Sequence, residues 1–286
     1  MGPLEVGDLT DPAKILEVLR KYEPGAVLHF AASAYVGESF IDPLSYYTNN
    51  VAGTLNLLQM MDVVGVKKIV FSSSCAVFGI PDVIPIPDTQ PHAPINPYGR
   101  TKSMIETILQ DLSEAHGLRS ISLRYFNAAG ADPEGVIGEH HEPGTHIIPL
   151  IFDAAIGRRD GVVIFGDDYL TPDGTCIRDY IHVEDLAQAH LLALQALENG
   201  HSTASYNLSN GQGYSIRDMI TCAEQITGRT IPFEYGPRRP GDPDLLIGDS
   251  SNARNALGWR PHYPLLATIL DHAWKWHQHR FLSRYK

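Results

Sequence analysis

The sequence has little cysteine: Cys75, Cys176 and Cys222 are all it carries in 286 residues. The number is odd and no C-x-x-C spacing occurs, which argues against a disulfide framework and a zinc ribbon. Basic residues are also scarce, 22 against 33 acidic, for a formal net charge of -11. Long-range attraction does not bring so acidic a chain to nucleic acid. Any phosphate it binds must be held locally, by a few arginines or by helix N-termini. No apolar run is long enough to span a bilayer and no signal-peptide pattern is read, so no membrane partner and a cytoplasmic location are expected. Internal repeats and low-complexity tracts are missing as well. The length suits one large core or two modest ones.

What is present is an alternation of apolar runs and helical patterns. Ala26 to Ala32 reads as a short buried strand ending in small residues, and Tyr46 to Val64 as a helix with Val51, Leu55, Leu58 and Met61 on one stripe. Lys67 to Phe71 is a second strand, followed by Ser72-Ser73-Ser74 and a proline-rich loop from Ile80 to Pro97. A helix over 98–115 and a strand over 120–126 complete this half. Glu5 to Leu9 reads like the end of a further strand feeding a helix. After Asn127 come a loop to Thr145, a helix over 147–156, a strand over 162–165 and a helix over 184–197. A strand near Tyr206, a helix over 216–227, a loop with Arg238 and Arg239, and a helix over 265–279 follow. Alternating strands and helices predict a Rossmann-like doubly wound parallel sheet with a smaller mixed α/β domain. Residues 1–127 are assigned to the sheet domain, with 150–190 contributing, and 128–149 and 191–286 to the second domain.

The chemistry centres on Tyr98-Gly99-Arg100-Thr101-Lys102. Tyrosine and lysine four apart on a helix share a face. A tyrosine ordinarily titrates near pH ~10; a neighbouring ammonium favours its phenolate and can make it a base near neutrality. The pattern Y-x-x-x-K is common by chance and by itself reads as a solvated helix face. Joined to Ser74 at a strand end two dozen residues upstream, it is far more specific, because a hydroxyl there can relay or orient a proton. Ser72 and Ser73 read as turn serines.

The joint pattern resembles the extended short-chain dehydrogenase/reductase family, and within it the UDP-galactose (UDP-glucose) 4-epimerases. The matching stretches are His29-Phe30-Ala31-Ala32, Val36-Gly37-Glu38-Ser39, Tyr46 to Val51, Phe71 to Ser74, Tyr98-x-x-x-Lys102, Leu123 to Asn127, Gly174 to Val183 and Pro237-Arg238-Arg239-x-Gly241-Asp242. The resemblance implies NAD-dependent interconversion of UDP-galactose and UDP-glucose through a 4-keto sugar, in a homodimer. It implies Tyr98 as base, Lys102 on the nicotinamide ribose and Ser74 on the reacting oxygen. It further implies Asp8 and Leu9 at the adenine, Phe30, Ala31, Ala32 and Asn49 along the cofactor, and Phe126 at the nicotinamide. For the UDP-sugar it implies Asn127 and His146 at the sugar, and Ile147, Val163 and Phe165 around the uridine. Arg178 and Arg239 would hold the diphosphate and Asp242 a ribose hydroxyl. The local alternative for Arg178 is an ion pair with Asp179.

Three positions depart from the family pattern: Ala34 replaces a lysine, His146 an asparagine, and Leu246 occupies the position whose size gates N-acetylated sugars. Leu246 predicts a hexose preference. His140, His141 and His146 lack metal-ligand spacing and read as solvated loop residues, so no metal is expected. A dehydratase would carry acidic residues after the strand serine, where Cys75-Ala76-Val77 stand. A UDP-arabinose or UDP-xylose 4-epimerase shares the catalytic group and remains an alternative. No glycine-rich phosphate loop precedes Asp8. The expectation is therefore a chain without its first strands, weak in NAD binding and activity, or a non-catalytic epimerase fragment.

Overall fold

Strand β2 (Lys68–Ser74) is built from residues that suit a pleated, doubly covered surface: Ile69, Val70 and Phe71 are all buried. In the computed structural model, which describes residues 2–141, 144–239 and 241–281, β2 pairs in parallel with β1 (Val27–His29), Val27 facing Ile69 and His29 facing Phe71. Strands β3 (Arg119–Tyr125) and β8 (Ala204–Leu208) extend the sheet in the order β1-β2-β3-β8. Helices α1 (Pro12–Tyr22), α2 (Val36–Ile41), α3 (Pro43–Tyr46), α4 (Gly53–Val64) and α5 (Pro97–His116) belong to the same unit. Its core packs Leu57, Leu58 and Met61 of α4 and Ile105 and Leu109 of α5 with Ile69 and Phe71.

The chain divides into two compact units, 1–80 with 89–124 and 190–206, and 81–88 with 125–189 and 207–286. The second was expected to be the smaller and is not. It holds β4 (Asn127–Ala129), β5 (Val162–Phe165), β6 (Ile177–Arg178), β7 (Tyr180–His182), β9 (Tyr214–Ser215), β10 (Phe233–Gly236) and β11 (Leu245–Leu246) in three small sheets: β4 with β7, β10 with β5, and β11-β6-β9. Helices α6 (Ile147–Ala155), α8 (Ile216–Thr227), α9 (Ser251–Ala256) and α10 (Leu266–Phe281) lie in this unit, as does the start of α7 (Val183–Glu198). Its core joins Ile151 and Phe152 to Met219, Ile269 and Trp274. The unit boundaries differ from those read in the sequence. Residues 190–206 fall with the sheet because β8 is the neighbour of β3. Residues 81–88 fall with the second unit, where Ile86 bridges to Gly248 and Asp88 accepts from the Asn207 amide at 2.6 Å.

Two local expectations are corrected. The segment before Leu9 forms no strand: Leu4 and Val6 are 89% and 84% exposed, and no described strand pairs with it. Extended backbone without a ladder partner is not held as a strand; Asp8 instead accepts from the Thr10 amide and hydroxyl at 2.7 and 2.6 Å in a turn leading to α1. The helix expected over 46–64 is interrupted by a π-helical stretch, Tyr47–Ala52. That stretch closes i→i+5 hydrogen bonds, which shifts the phase of the helical turns after it. Within α4 the regular i, i+3, i+4 spacing buries Thr54, Leu57, Leu58 and Met61, while Leu55, expected on the buried stripe, is 37% exposed.

Candidate active site

Asn96 starts α5 by capping it: its Oδ1 accepts from the Gly99 amide at 2.7 Å, and Pro97 takes the first helical position, where a missing N–H costs nothing. This places Tyr98 in the first turn and Lys102 one turn on. Gly99 is there for closeness: a Cβ on it would sit 2.4 Å from the Ala76 carbonyl oxygen. That contact lets the start of α5 lie against the short 3-10 turn Cys75–Val77, whose N-cap is Ser74. The Ser74 hydroxyl accepts from the Ala76 amide at 3.2 Å. Ser74, Tyr98 and Lys102 thus belong to segments in direct contact at the carboxyl end of β2, where ligands of such sheets bind.

Lys102 is 3% exposed, and its Nζ donates to the Ser72 carbonyl at 2.7 Å. The ammonium lies 4.8 Å from the centroid of the Phe71 ring and 5.8 Å from that of Tyr98. Burial pulls its pKa down to about 8, with Glu106 opposing. Ser72 and Ser73 are strand residues, not the turn residues expected. The sequence reading also missed Asn50, in the π-helical stretch. Its Oδ1 accepts from the Ser33 amide at 2.8 Å, and its Nδ2 donates to the Ser33 carbonyl at 3.0 Å and to Thr101 Oγ1 at 3.1 Å. Thr101 in turn donates to the Tyr98 carbonyl at 2.7 Å. One buried amide thereby ties the loop after β1 to the first turn of α5, which carries Tyr98. Two adjacent asparagines in an otherwise apolar helical pattern were the available signal.

The residues expected along the cofactor lie in the same unit. Phe30 is 55% exposed just past β1, with Ala31 and Ala32 after it. Asn49 donates to Ser33 Oγ at 3.2 Å, and Leu9 is held by Asn56, whose Nδ2 donates to its carbonyl at 3.0 Å. These groups suit a dinucleotide. Lys102 has three N–H donors and spends one on Ser72, which leaves donors for ribose hydroxyls, and two alanines follow the exposed end of a parallel strand.

The residues expected around the UDP-sugar lie in the second unit, as does Phe126. Along β5, Val162 and Ile164 enter the core while Val163 and Phe165 face the other way, and Gly236 pairs opposite Phe165. The Arg239 guanidinium sits 4.2 Å over the Phe165 ring. Leu246 pairs with Arg178 in the β11–β6 ladder. The buried Arg178 donates through Nη2 to Asp242 Oδ1 at 2.5 Å and to the Pro243 carbonyl at 2.7 Å. The Arg178–Asp179 pair is not formed. Asp179 accepts from Ser209 Oγ at 2.6 Å and from the amides of Asn210 and Gly211 at 3.0 Å each, and burial raises its pKa to about 6. Asn127 Nδ2 donates to the Asp179 carbonyl at 3.0 Å. Ile147 opens α6 and His146 is its N-cap. The exposed His146 ring meets Glu139 at 2.6 Å, a hydrogen bond that raises its pKa. No group of three or more His, Cys, Asp or Glu is placed to hold a metal ion among the described residues. A cavity of about 350 Å³ in this unit, bordered by Glu139, Phe152, Arg158 and His277, contains none of the expected site residues.

A parallel α/β sheet with serine at a strand end and tyrosine and lysine on the next helix defines an NAD(P)-type short-chain dehydrogenase/reductase architecture. Residues 3–209 match the NAD dependent epimerase/dehydratase family, and the chain belongs to that family. It is 50% identical to UDP-glucose 4-epimerase of Rhizobium leguminosarum bv. trifolii over 96% of this chain and 84% of the relative. The Halalkalibacterium halodurans UDP-glucose 4-epimerase is also 50% identical, over 95% and 81% of the two chains. Among solved structures, the Brucella ovis UDP-glucose 4-epimerase in complex with NAD superposes with a TM-score of 0.93 at 49% identity, covering 96% of this chain and 84% of that one. The Stenotrophomonas maltophila enzyme, solved with NAD and formylated UDP-arabinopyranose, gives 0.93 at 40% identity over 99% and 84%. Among the described residues no helix is long and apolar enough to cross a membrane.

Proposed function

We propose that the chain interconverts UDP-glucose and UDP-galactose, with NAD as a resident cofactor. The observation that carries the reading is the buried Lys102 ammonium, held on the Ser72 carbonyl beside the Tyr98 ring. When bound, NAD would supply a reversible hydride acceptor at sugar C4. Lys102 holds the nicotinamide ribose, and its charge favours the Tyr98 phenolate. Asn49, Phe30, Ala31 and Ala32 position the same ligand, with Asp8 and Leu9 at its adenine and Phe126 at its nicotinamide. Tyr98 takes the proton of the sugar 4-hydroxyl while Ser74 hydrogen-bonds that oxygen, and the phenol gives the proton back after the 4-keto sugar has turned.

In the second unit, Val163, Phe165 and Ile147 frame the uridine. Arg239 and Arg178 face the diphosphate with planar donors suited to its oxygens. Asp242, which orients Arg178, also takes a ribose hydroxyl, and Asn127 and His146 meet the sugar. Incubation with UDP-galactose and NAD should yield UDP-glucose by chromatography; no product under those conditions overturns the reading. A UDP-pentose reading is favoured by the arabinopyranose complex of the Stenotrophomonas relative, and product analysis with UDP-arabinose and UDP-xylose separates the two.

Leu246 is half-buried beside Arg178 and is bulkier than the residues that open such a pocket. UDP-galactose is expected to exceed UDP-N-acetylgalactosamine by about tenfold in kcat/KM. An advantage for the acetylated sugar in competition kinetics refutes the gate. A homodimer belongs to this reading, supported by the exposed apolar side chains Leu55, Val63 and Met104, and so does a cytoplasmic location, supported by three free thiols. Sedimentation measures the first.

A further inference from the structure

Helix α5 carries a third ionisable residue on the side that bears Tyr98 and Lys102: Glu106, four residues on. It is 8% exposed. Arg124 on β3 donates to it through Nε, 3.0 Å from each carboxylate oxygen, and through Nη2, 2.6 Å from Oε2. Ser205 Oγ on β8 donates to Oε2 at 3.0 Å, and Ser73 Oγ on β2 donates to Oε1 at 2.5 Å. His92 Nε2 lies 3.8 Å from Oε2. Burial alone would raise the pKa of this carboxyl; the hydrogen bonds and charge of Arg124, with the Ser73 hydroxyl, outweigh it and keep Glu106 below the ordinary carboxylate range.

This arrangement divides the three consecutive serines among three tasks. The Ser72 carbonyl accepts from Lys102, the Ser73 hydroxyl is clamped by Glu106, and the Ser74 side chain stands at the end of the strand. The clamp sits between the two groups that the reaction uses.

We propose that Glu106 is a positioning residue for the reaction: locked by Arg124, its carboxylate pins Ser73, so fixing Ser72 and Ser74 on either side, and sets a negative charge one helical turn from the Lys102 ammonium. The inference rests on Tyr98 acting as base. The titratable and charged groups around Lys102 are Tyr98 and Glu106 on α5, His29 on β1, and, behind Glu106, Arg124 on β3 and His92 in the loop before α5. Burial drives Lys102 toward neutrality and Glu106 opposes it. Without that charge, Lys102 loses its proton at lower pH and supports the Tyr98 phenolate less.

Three variants test this. Glu106→Gln removes the charge, Glu106→Asp keeps it, and Ser73→Ala removes only the tie. The Tyr98 phenol is titrated by ultraviolet difference absorbance of each protein against the same protein carrying Tyr98→Phe, and the pH profile of kcat is measured alongside. In Glu106→Gln the phenol should titrate about one unit higher and the alkaline limb of kcat should move down; Glu106→Asp should restore both. In Ser73→Ala kcat should fall between about 10- and 100-fold with KM and both limbs unmoved. Unmoved titrations in a folded Glu106→Gln overturn the electrostatic role, and full activity in Ser73→Ala overturns the tie, which also decides the matter where Glu106→Gln fails to fold once Arg124 loses this carboxylate. Turnover retained in Tyr98→Phe alone would instead remove the assignment of the base.

Discussion

Replacing Tyr98 with phenylalanine is expected to lower the epimerisation rate by roughly 10²- to 10⁴-fold and to leave UDP binding unchanged. The substitution removes one hydroxyl and keeps the ring. The turn that carries it is held by groups other than the phenol: the Asn96 cap, the Gly99–Ala76 approach, and the Asn50–Thr101 link to the Tyr98 carbonyl. The backbone should stay in place, so a loss of rate reports the proton transfer itself. UDP is assigned to residues of the second unit, which the substitution leaves intact. The check is kcat from a coupled assay together with UDP affinity by calorimetry. Turnover within a fewfold of the parent excludes Tyr98 as the base.

A second large effect is expected on stability in mild acid. Three buried histidines are held neutral: burial lowers His29, His182 and His277 each to about 4. Loss of water around each ring disfavours the imidazolium. Thr54 spends its hydroxyl proton on the Asn50 carbonyl at 2.5 Å, so His29 Nε2–H donates to Thr54 Oγ1 at 2.8 Å, and the Lys102 charge adds to the cost of a second proton. His182 Nδ1 accepts from the Glu184 amide at 3.1 Å, so its Nε2–H donates to His272 Nδ1 at 3.0 Å; a proton on Nδ1 would break the first of these.

A depressed folded-state pKa contributes stability that is complete above the unfolded value of about 6.5 and is lost as pH falls through about 4. Each such group contributes up to roughly 3 kcal/mol over that window. Asp179, raised to about 6, acts the other way, since the folded state takes up its proton first, and offsets about one histidine. The net loss between pH 6.5 and 4.5 should reach several kcal/mol, on the order of 10 °C in Tm. Thermal melts across that range measure it. His29→Gln, which keeps a donor for Thr54 and cannot be protonated, should flatten the curve; a parallel curve refutes its part in it.

Much of this was legible in the residues themselves. The sequence located β5 and α8 at their observed bounds, because a short apolar, β-branched run of four suits a buried strand and an amphipathic run of twelve buries one helical face. The spacing of Tyr98 and Lys102 needs only a helix to put both on one side, so their shared face could be read from the sequence. The tertiary structure alone decided the rest. Packing chose the face of α4 that enters the core, with Leu57 on it and the equally apolar Leu55 outside. The segment Glu5 to Leu9 reads like a strand end, but a strand exists only where another chain segment takes its hydrogen bonds. Arg178 and Asp179 are adjacent yet point to different partners, Asp242 and the Ser209–Gly211 turn, because successive residues of an extended segment face opposite ways. Nothing in the local sequence distinguishes Glu106 from the other charges of α5. Only the approach of β2, β3 and β8, which bring Ser73, Arg124 and Ser205 from 33, 18 and 99 positions away, makes it a buried anion one helical turn from Lys102. Contacts over such separations are set by packing, and a local reading of the chain does not contain them.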